Sequence, residues 1–163
     1  MKKKILWALL IIIVVIQFIR PEKNKAATVS ANDISQHYEV PAEVDKILSR
    51  ACKDCHSNNT NYPWYSNIQP VGWWLAHHVK DGKKELNFSE FATYDPKRRH
   101  HKLEEVMEMV KENEMPLDSY LWIHDEAKLS ADDKKTLLLW ASVLTEQIAA
   151  KHNIVKEPPS ESR

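Results

Sequence analysis

The 163-residue chain contains only two glycines and two cysteines. Loops that bind phosphate groups are built from several closely spaced glycines, so the shortage of glycine excludes a nucleotide site of that kind. Nowhere does the apolar–polar alternation of a β-strand persist for five residues. The sequence therefore predicts an all-α protein, and its length predicts one domain with terminal extensions.

The chain also lacks an excess of charge, because 23 lysines and arginines are balanced by 23 aspartates and glutamates. The balance is uneven, since residues 1–25 hold six basic residues and one acid. The rest of the chain is therefore mildly acidic. Proteins that bind nucleic acid need clustered lysine and arginine on one surface, so we expect no nucleic-acid partner.

One long apolar run is present near the N-terminus. Ile5–Ile19 follows three consecutive lysines, and Gln17 is its only polar residue. A basic start before an apolar run is typical of an export signal, although the run is shorter than the about 20 residues of an ordinary spanning helix. We predict an uncleaved signal anchor over residues 1–20. The alternative is a cleaved signal peptide, for which Lys25-Ala26-Ala27 is the candidate cleavage site.

Both cysteines lie in one pentapeptide, Cys52-Lys53-Asp54-Cys55-His56. Cys-x-x-Cys-His is typical of c-type haem attachment, in which each thiol forms a thioether to the porphyrin and the histidine ligates the iron. We therefore predict one covalent haem c held by Cys52, Cys55 and His56. As a general matter, c-type cytochromes acquire haem outside the cytoplasm. This agrees with the export signal and predicts a position in the cell envelope, at the periplasmic side of the cytoplasmic membrane.

Paired cysteines have other uses, and three alternatives stay open. They are a disulfide, a thioredoxin-like redox pair and half of a zinc site. Zinc would need a second pair of cysteine or histidine ligands at metal spacing, and a thioredoxin-like pair belongs to a βαβ unit. Since neither context is evident, a haem-free dithiol protein is the least favoured reading.

The remaining pattern predicts about four helices around the haem, over residues 41–151. The first begins at Pro41, the second spans Val71 to about Asp81 with Gly82 after its end, the third opens at Asp95-Pro96, and Ser130 caps the last. Residues 21–40 are polar and predict a linker, and residues 152–163 predict a disordered tail. The side chains expected on the buried helix faces are Val44, Ile47, Leu48, Ala51, Leu103, Val106, Met107, Val110, Leu137, Trp140, Ala141, Leu144 and Ile148.

The loop after His56 is rich in aromatic residues, including Trp64 and Tyr65. A solvated loop rarely carries several aromatic side chains within four positions. We predict that the loop folds over the haem, with Trp64 and Tyr65 as contacts. The alternative is a loop packed only on its own side chains.

The iron has a second axial position, and Met115 is the leading candidate to fill it. A thioether is a soft ligand that raises the reduction potential in cytochromes c, and Pro116 disfavours helical geometry at Met115. The sulfur would therefore be presented from a loop. The alternatives are His77, His78 or an empty position. We assign His100 and His101, which follow three basic residues, to a solvated face.

Together these residues resemble the small haem-binding domain proteins of bacterial envelopes, which are related in style to class I cytochromes c. The resemblance covers roughly residues 40–145, and it implies a helical fold around a covalent haem. In many relatives a glycine stands shortly before the Met-Pro pair, where this chain has Asn113-Glu114. The matching segments are Val40-Pro41, Ile47-Leu48, Ala51-Cys52, Cys55-His56-Ser57-Asn58, Pro63-Trp64-Tyr65-Ser66-Asn67-Ile68, Pro70-Val71, Ala76-His77-His78-Val79, Leu86-Asn87-Phe88-Ser89-Glu90, Met115-Pro116-Leu117, Leu129-Ser130 and Leu139-Trp140-Ala141.

These features predict a monohaem c-type cytochrome that carries single electrons to an unidentified redox partner protein, with the membrane as a second partner through its N-terminal segment. No arrangement of catalytic acid, base or nucleophile stands out, which favours a carrier over an enzyme. The alternative is an open-iron haem enzyme or a gas or redox sensor. His77 or His78 would then be the distal acid–base group.

Overall fold

The computed structural model describes residues 1–154, and the predicted all-α class is confirmed over that range, which contains no β-strand. Three short 3₁₀ helices, at Trp64–Asn67, Phe88–Thr93 and Asp125–Ala127, join longer elements. The α-helices are α1 (Lys2–Ile16), α2 (Ile34–His37), α3 (Ala42–Ala51), α4 (Lys53–His56), α5 (Val71–Glu85), α6 (Pro96–Glu112), α7 (Asp118–Leu121) and α8 (Ala131–His152).

The described chain forms two compact units. The first comprises Met1–Thr28 and Lys53–Asn87, and the second comprises Val29–Cys52 and the residues from Phe88 onward. Each unit is therefore assembled from two separate pieces of the chain. The chain passes from the second unit into the first between Cys52 and Lys53, within the predicted haem motif.

Helix α5 is the framework of the first unit, since α4 and the 3₁₀ helix Trp64–Asn67 both pack on it. It runs to Glu85, so the prediction that Gly82 follows the end of this helix is wrong. A Cβ atom on Gly82 would lie 2.8 Å from the carbonyl oxygen of Cys55. Glycine stands at this position because a side chain would separate α5 from α4, and not because the backbone has to turn there.

Helix α1 carries the apolar run of the N-terminus, and its side chains from Ile5 to Val15 are exposed. It ends at Ile16, three residues before the apolar run does. Among the helices of residues 1–154, none combines the length and the hydropathy needed to cross a membrane. The signal anchor stays a prediction.

Residues 21–40, predicted as a linker, contain packed structure in the second unit. The carboxylate of Asp33 accepts a hydrogen bond from the backbone N–H of Ser35 at 3.0 Å and so caps α2. The side chain of Ile34 is 1% exposed. The N–H of Ala92 donates to the carbonyl oxygen of Asn32 at 3.0 Å. This part of the segment therefore contributes to the core of the second unit.

The core of the second unit lies around α8, on which α6 and α3 pack. The predicted buried faces of α3 and α8 are confirmed at every position. On α6, Leu103 and Val110 are buried, whereas Val106 and Met107 are half-buried. The indole N–H of Trp140 donates to the carbonyl oxygen of Glu39 at 3.1 Å, which gives this core tryptophan a partner for its one polar group.

The predicted starts of α6 and α8 are also confirmed. The Asp95 carboxylate accepts from the N–H of Arg98, and Ser130 forms a reciprocal capping box with Asp133. Hydrogen bonds from Ser130 and the nearby guanidinium of Arg50 hold the pKa of the Asp133 carboxyl below its ordinary range. Helix α8 ends at His152, the first residue of the predicted disordered tail. The rest of that tail, from residue 155, lies outside the described residues.

We expect Leu137→Ala to lower the free energy of unfolding by about 2–5 kcal/mol, because it leaves a cavity in a closely packed core. Leu139→Ala is the matched control, since Leu137 is 1% exposed and Leu139 is 64% exposed. Urea denaturation followed by circular dichroism measures both. Equal effects of the two substitutions would contradict the assigned inner face of α8.

Candidate functional site

The predicted haem motif spans the end of one helix and the whole of the next. Cys52 follows α3 as its C-terminal cap, and its N–H donates to the carbonyl oxygen of Leu48 at 2.9 Å. The backbone leaves helical geometry at Cys52, and Cys55 and His56 lie in the separate turn α4. The two thiols are therefore carried by different elements, Cys52 at the end of α3 and Cys55 in α4. Both cysteines are half-buried, and they are not joined in a disulfide.

The imidazole of His56 is oriented by the end of α5. Its Nδ1 lies 3.0 Å from the carbonyl oxygen of Leu86, the residue that follows the last turn of this helix. A carbonyl oxygen can only accept, so Nδ1 carries the proton and Nε2 keeps its lone pair. Histidines that ligate metals have this arrangement, with the second ring nitrogen donating to a carbonyl or carboxylate.

Burial lowers the pKa of His56 from its ordinary value of 6.5, and this effect outweighs the backbone carbonyls of Leu86 and Gly82, which raise it. The imidazole is therefore neutral at pH 7. An iron ligand must be neutral imidazole, because a protonated nitrogen has no lone pair to share. The protonation state and the orientation of His56 both suit axial ligation through Nε2.

The pKa of the Cys55 thiol is raised, whereas the pKa of a redox-active cysteine is lowered. Burial, together with the adjacent Asp54 carboxylate, raises the pKa of Cys55 to about 11. Cysteines of thiol–disulfide enzymes have a lowered pKa, because the thiolate is the nucleophile. This contrast argues against the haem-free dithiol protein that the sequence left open.

Trp64 and Tyr65 lie together on the surface of the first unit. Their rings meet edge to face with centroids 5.9 Å apart, and the side chain of Trp64 is 76% exposed. A large indole with so little protein cover is free to contact a flat apolar ligand. Contact of these rings with the haem stays a prediction.

His77 and His78 lie on α5 in different surroundings. The Nε2 of His77 lies 3.0 Å from the Asp81 carboxylate, and its side chain is 70% exposed. The ring of His78 packs on that of Trp74 with centroids 4.2 Å apart, and its Nδ1 lies 2.9 Å from the Trp74 carbonyl oxygen. His78, like His56, therefore keeps Nε2 available for a ligand.

Met115 belongs to the second unit, in the loop between α6 and α7, which confirms that it is presented from a loop. Asn113 ends α6 with a φ of 63°, in the left-handed region. Asparagine tolerates this conformation better than most residues with a side chain. Asn113 therefore adopts this backbone conformation in the place where the family resemblance leads one to expect glycine. Ligation by Met115 stays a prediction.

The assignment of His100 to a solvated face is wrong. Its side chain is buried on α6, with Nδ1 3.3 Å from the Glu104 carboxylate, and its Nε2 has no hydrogen-bond partner within residues 1–154. His100 precedes the buried Leu103 by three residues, so the helical spacing could have placed it on the inner face. His101 is exposed as expected and pairs with Glu105.

Over the described chain, no group of three or more histidine, cysteine, aspartate or glutamate side chains converges to hold a metal ion. A haem iron does not need such a group, because the porphyrin supplies four nitrogens and the protein supplies only axial ligands. An oriented, neutral His56 next to a Cys55 thiol fits a haem.

The chain matches the family model described as a haem-binding domain over residues 11–143, and it belongs to that family. The match confirms the predicted family, and with it haem as the cofactor. Searches of curated proteins and of solved structures found no significant match.

Three features of the site were not predicted from the sequence. One is the Leu86 carbonyl, a backbone group that no side-chain pattern can mark. The second is Gly82 as a contact point, for which the scarcity of glycine in an otherwise helical chain was a usable signal. The third is Asn24, which binds the loop after His56 and lies in a segment assigned to the linker.

We expect Gly82→Ala to destabilise the protein by about 1–3 kcal/mol, because the new methyl group would overlap the Cys55 carbonyl. At a helix position with no close neighbouring atoms, replacing glycine by alanine would instead raise the free energy of unfolding by about 1 kcal/mol. The control is Lys80→Ala on the exposed side of α5. Thermal unfolding measures both, and a stabilised Gly82→Ala variant would contradict the close approach of α4 and α5.

The lowered pKa of His56 predicts a pH dependence of stability in the haem-free chain. Below pH 6.5 the unfolded chain takes up a proton at this position before the folded chain does. The contribution of His56 is therefore complete above pH 6.5 and is lost as the pH falls through the lower, folded pKa. In His56→Phe, the unfolding midpoint should fall less steeply than in the parent as the pH decreases below 6.5. Parallel pH profiles would contradict this assignment.

Proposed function

We propose that this protein is a monohaem c-type cytochrome that carries single electrons at the outer side of the cytoplasmic membrane. The haem, when bound, supplies an iron that changes reversibly between its ferrous and ferric states. The chain contributes by holding the group, orienting the axial ligand and limiting access of water. The first observation in support is the hydrogen bond from His56 Nδ1 to the Leu86 carbonyl.

In this proposal Cys52 and Cys55 bind the haem through thioethers. Support comes from their spacing before His56, which is that of c-type haem attachment.

Met115 is the proposed distal ligand. Its position in a loop, two residues after the left-handed Asn113, supports this role. A side chain in a loop does not have to pack against a neighbouring helix, which leaves the sulfur available to bind iron. Thioether ligation would raise the reduction potential and close the iron to small molecules. Both consequences suit an electron carrier better than a catalyst.

The proposed location depends on the N-terminal segment. Helix α1 begins with three lysines and continues as an exposed apolar run, which is the composition of an export signal. With the signal retained, the protein would stay at the membrane surface, where its redox partner protein would meet it.

A second candidate function is an open-iron enzyme or sensor, and one observation favours it. His78 lies four residues before Gly82 on α5, so both lie on the side of the helix that meets α4. Its Nε2 is uncommitted, because Nδ1 faces the Trp74 carbonyl. In this candidate, His78 would move a proton to or from a molecule bound at the iron.

Covalent attachment predicts that the pigment of exported, haem-matured protein stays with the polypeptide in acidified acetone. We expect Cys52→Ser and Cys55→Ser each to leave one thioether and a shifted pyridine haemochrome band, and the double variant to lose covalent haem. Ser57→Ala is the control beside the motif. Release of all pigment from the parent protein would refute covalent attachment.

Met115→Ala should remove the weak far-red absorption band of a methionine–iron bond and let the reduced protein bind carbon monoxide. Met107→Ala, on α6 of the same unit, is the control and should change neither property. Tight carbon monoxide binding by the unaltered protein, lost or altered in His78→Ala, would instead favour the enzyme or sensor.

A further inference from the structure

The segment after α1 is not a free tether in the first unit. The side-chain amide of Gln17 pairs with the backbone of Gln69, accepting from its N–H at 2.9 Å and donating to its carbonyl oxygen at 3.1 Å. The indole of Trp73 donates to the Ile19 carbonyl oxygen at 2.7 Å. The N–H of Ala26 donates to the Asn58 carbonyl oxygen at 2.9 Å. Residues 17–26, which we call the strap, thus lie along the loop that follows His56.

The side chain of Asn24 makes three hydrogen bonds within the first unit. Its side-chain NH₂ group donates to the Ser57 carbonyl oxygen at 2.8 Å and to the Thr60 hydroxyl at 2.9 Å. Its side-chain oxygen accepts from Lys83 Nζ at 2.6 Å. The lysine can only donate and the Ser57 carbonyl can only accept, so only one orientation of the amide satisfies both.

The backbone of Asn24 adds two further hydrogen bonds. Its N–H donates to the hydroxyl of Tyr62 at 2.7 Å, and its carbonyl oxygen accepts from the N–H of Thr60 at 2.9 Å. The Thr60 hydroxyl in turn donates to the Asp54 carbonyl oxygen at 2.6 Å. Asn24 is therefore hydrogen-bonded directly to Ser57, which follows His56, and through Thr60 to Asp54, which precedes Cys55.

We propose that Asn24 is a positioning residue for the haem site, and that the strap therefore remains part of the mature protein. Asn24 joins the segment Asp54–Tyr62 to Lys83 on α5, the helix whose end orients His56. Cleavage at Lys25-Ala26-Ala27 would remove Asn24 from the chain. The expected effects on haem attachment and on reduction potential rest on the proposed function. The expected effects on amide exchange and on the mature N-terminus do not depend on it.

The test uses the full-length, exported protein and three variants. Asn24→Ala removes the side-chain bonds. Asn24→Asp keeps the shape and the acceptor for Lys83, but it places an oxygen against the Ser57 carbonyl. Glu22→Ala, at an exposed position of the strap outside the candidate cleavage site, is the control. If Asn24 only filled space, Asn24→Asp would behave like the parent.

We expect hydrogen–deuterium exchange of the Thr60 and Asn61 amides to accelerate by about fivefold or more in both Asn24 variants, and not in Glu22→Ala. Haem-stained covalent product per chain should fall in the same two variants. In the product that carries haem, the reduction potential should shift, because the segment beside His56 is displaced. Mass spectrometry of the mature parent should find an N-terminus before residue 17.

A parent protein without covalent haem would refute the proposed function, while the exchange and N-terminus measurements would still decide the role of the strap. The strap proposal is refuted if exchange in Asn24→Asp equals that of the parent, or if the mature N-terminus lies after Asn24. It is also refuted if the parent carries haem and neither its amount nor its potential changes in the Asn24 variants.

Discussion

The hydrogen bond between His56 and the Leu86 carbonyl is the constraint on which the site depends. Leu86 directly follows α5 in extended backbone, and its carbonyl oxygen accepts the hydrogen bond from the imidazole. This hydrogen bond fixes the tautomer, with the proton on Nδ1 and the lone pair on Nε2. A backbone feature of α5 thereby determines what the side chain of His56 can do.

The close contact of α4 and α5 follows from that constraint. His56 reaches Leu86 only if the short helix that carries it lies directly on α5, and the absence of a side chain at Gly82 allows this. Burial at the contact has two effects on ionisation, since it lowers the pKa of His56 and raises that of Cys55. Both groups are therefore held uncharged at neutral pH by one packing arrangement.

The parts that the sequence predicted well are those with a local signal. Cys52–His56 is a contiguous motif, the stripe from Val44 to Ala51 follows helical spacing, and Ser130 precedes its helix with a carboxylate three residues later. Gly82 and His100 were wrongly assigned because their roles depend on which elements pack together, which local spacing does not give. Leu86 acts through its backbone, and Asn24 acts across a long separation in sequence.

The pairing of Gln17 with Gln69 has a consequence for how the protein would meet its partners. Gln17 directly follows the last residue of α1, so no flexible linker separates that helix from the loop that contains Gln69. With α1 held in a bilayer, the first unit would keep a nearly constant height and tilt above the lipid. Encounters would then rely on diffusion within the plane of the membrane, and electron exchange would favour proteins whose own redox centres are displayed at the same height.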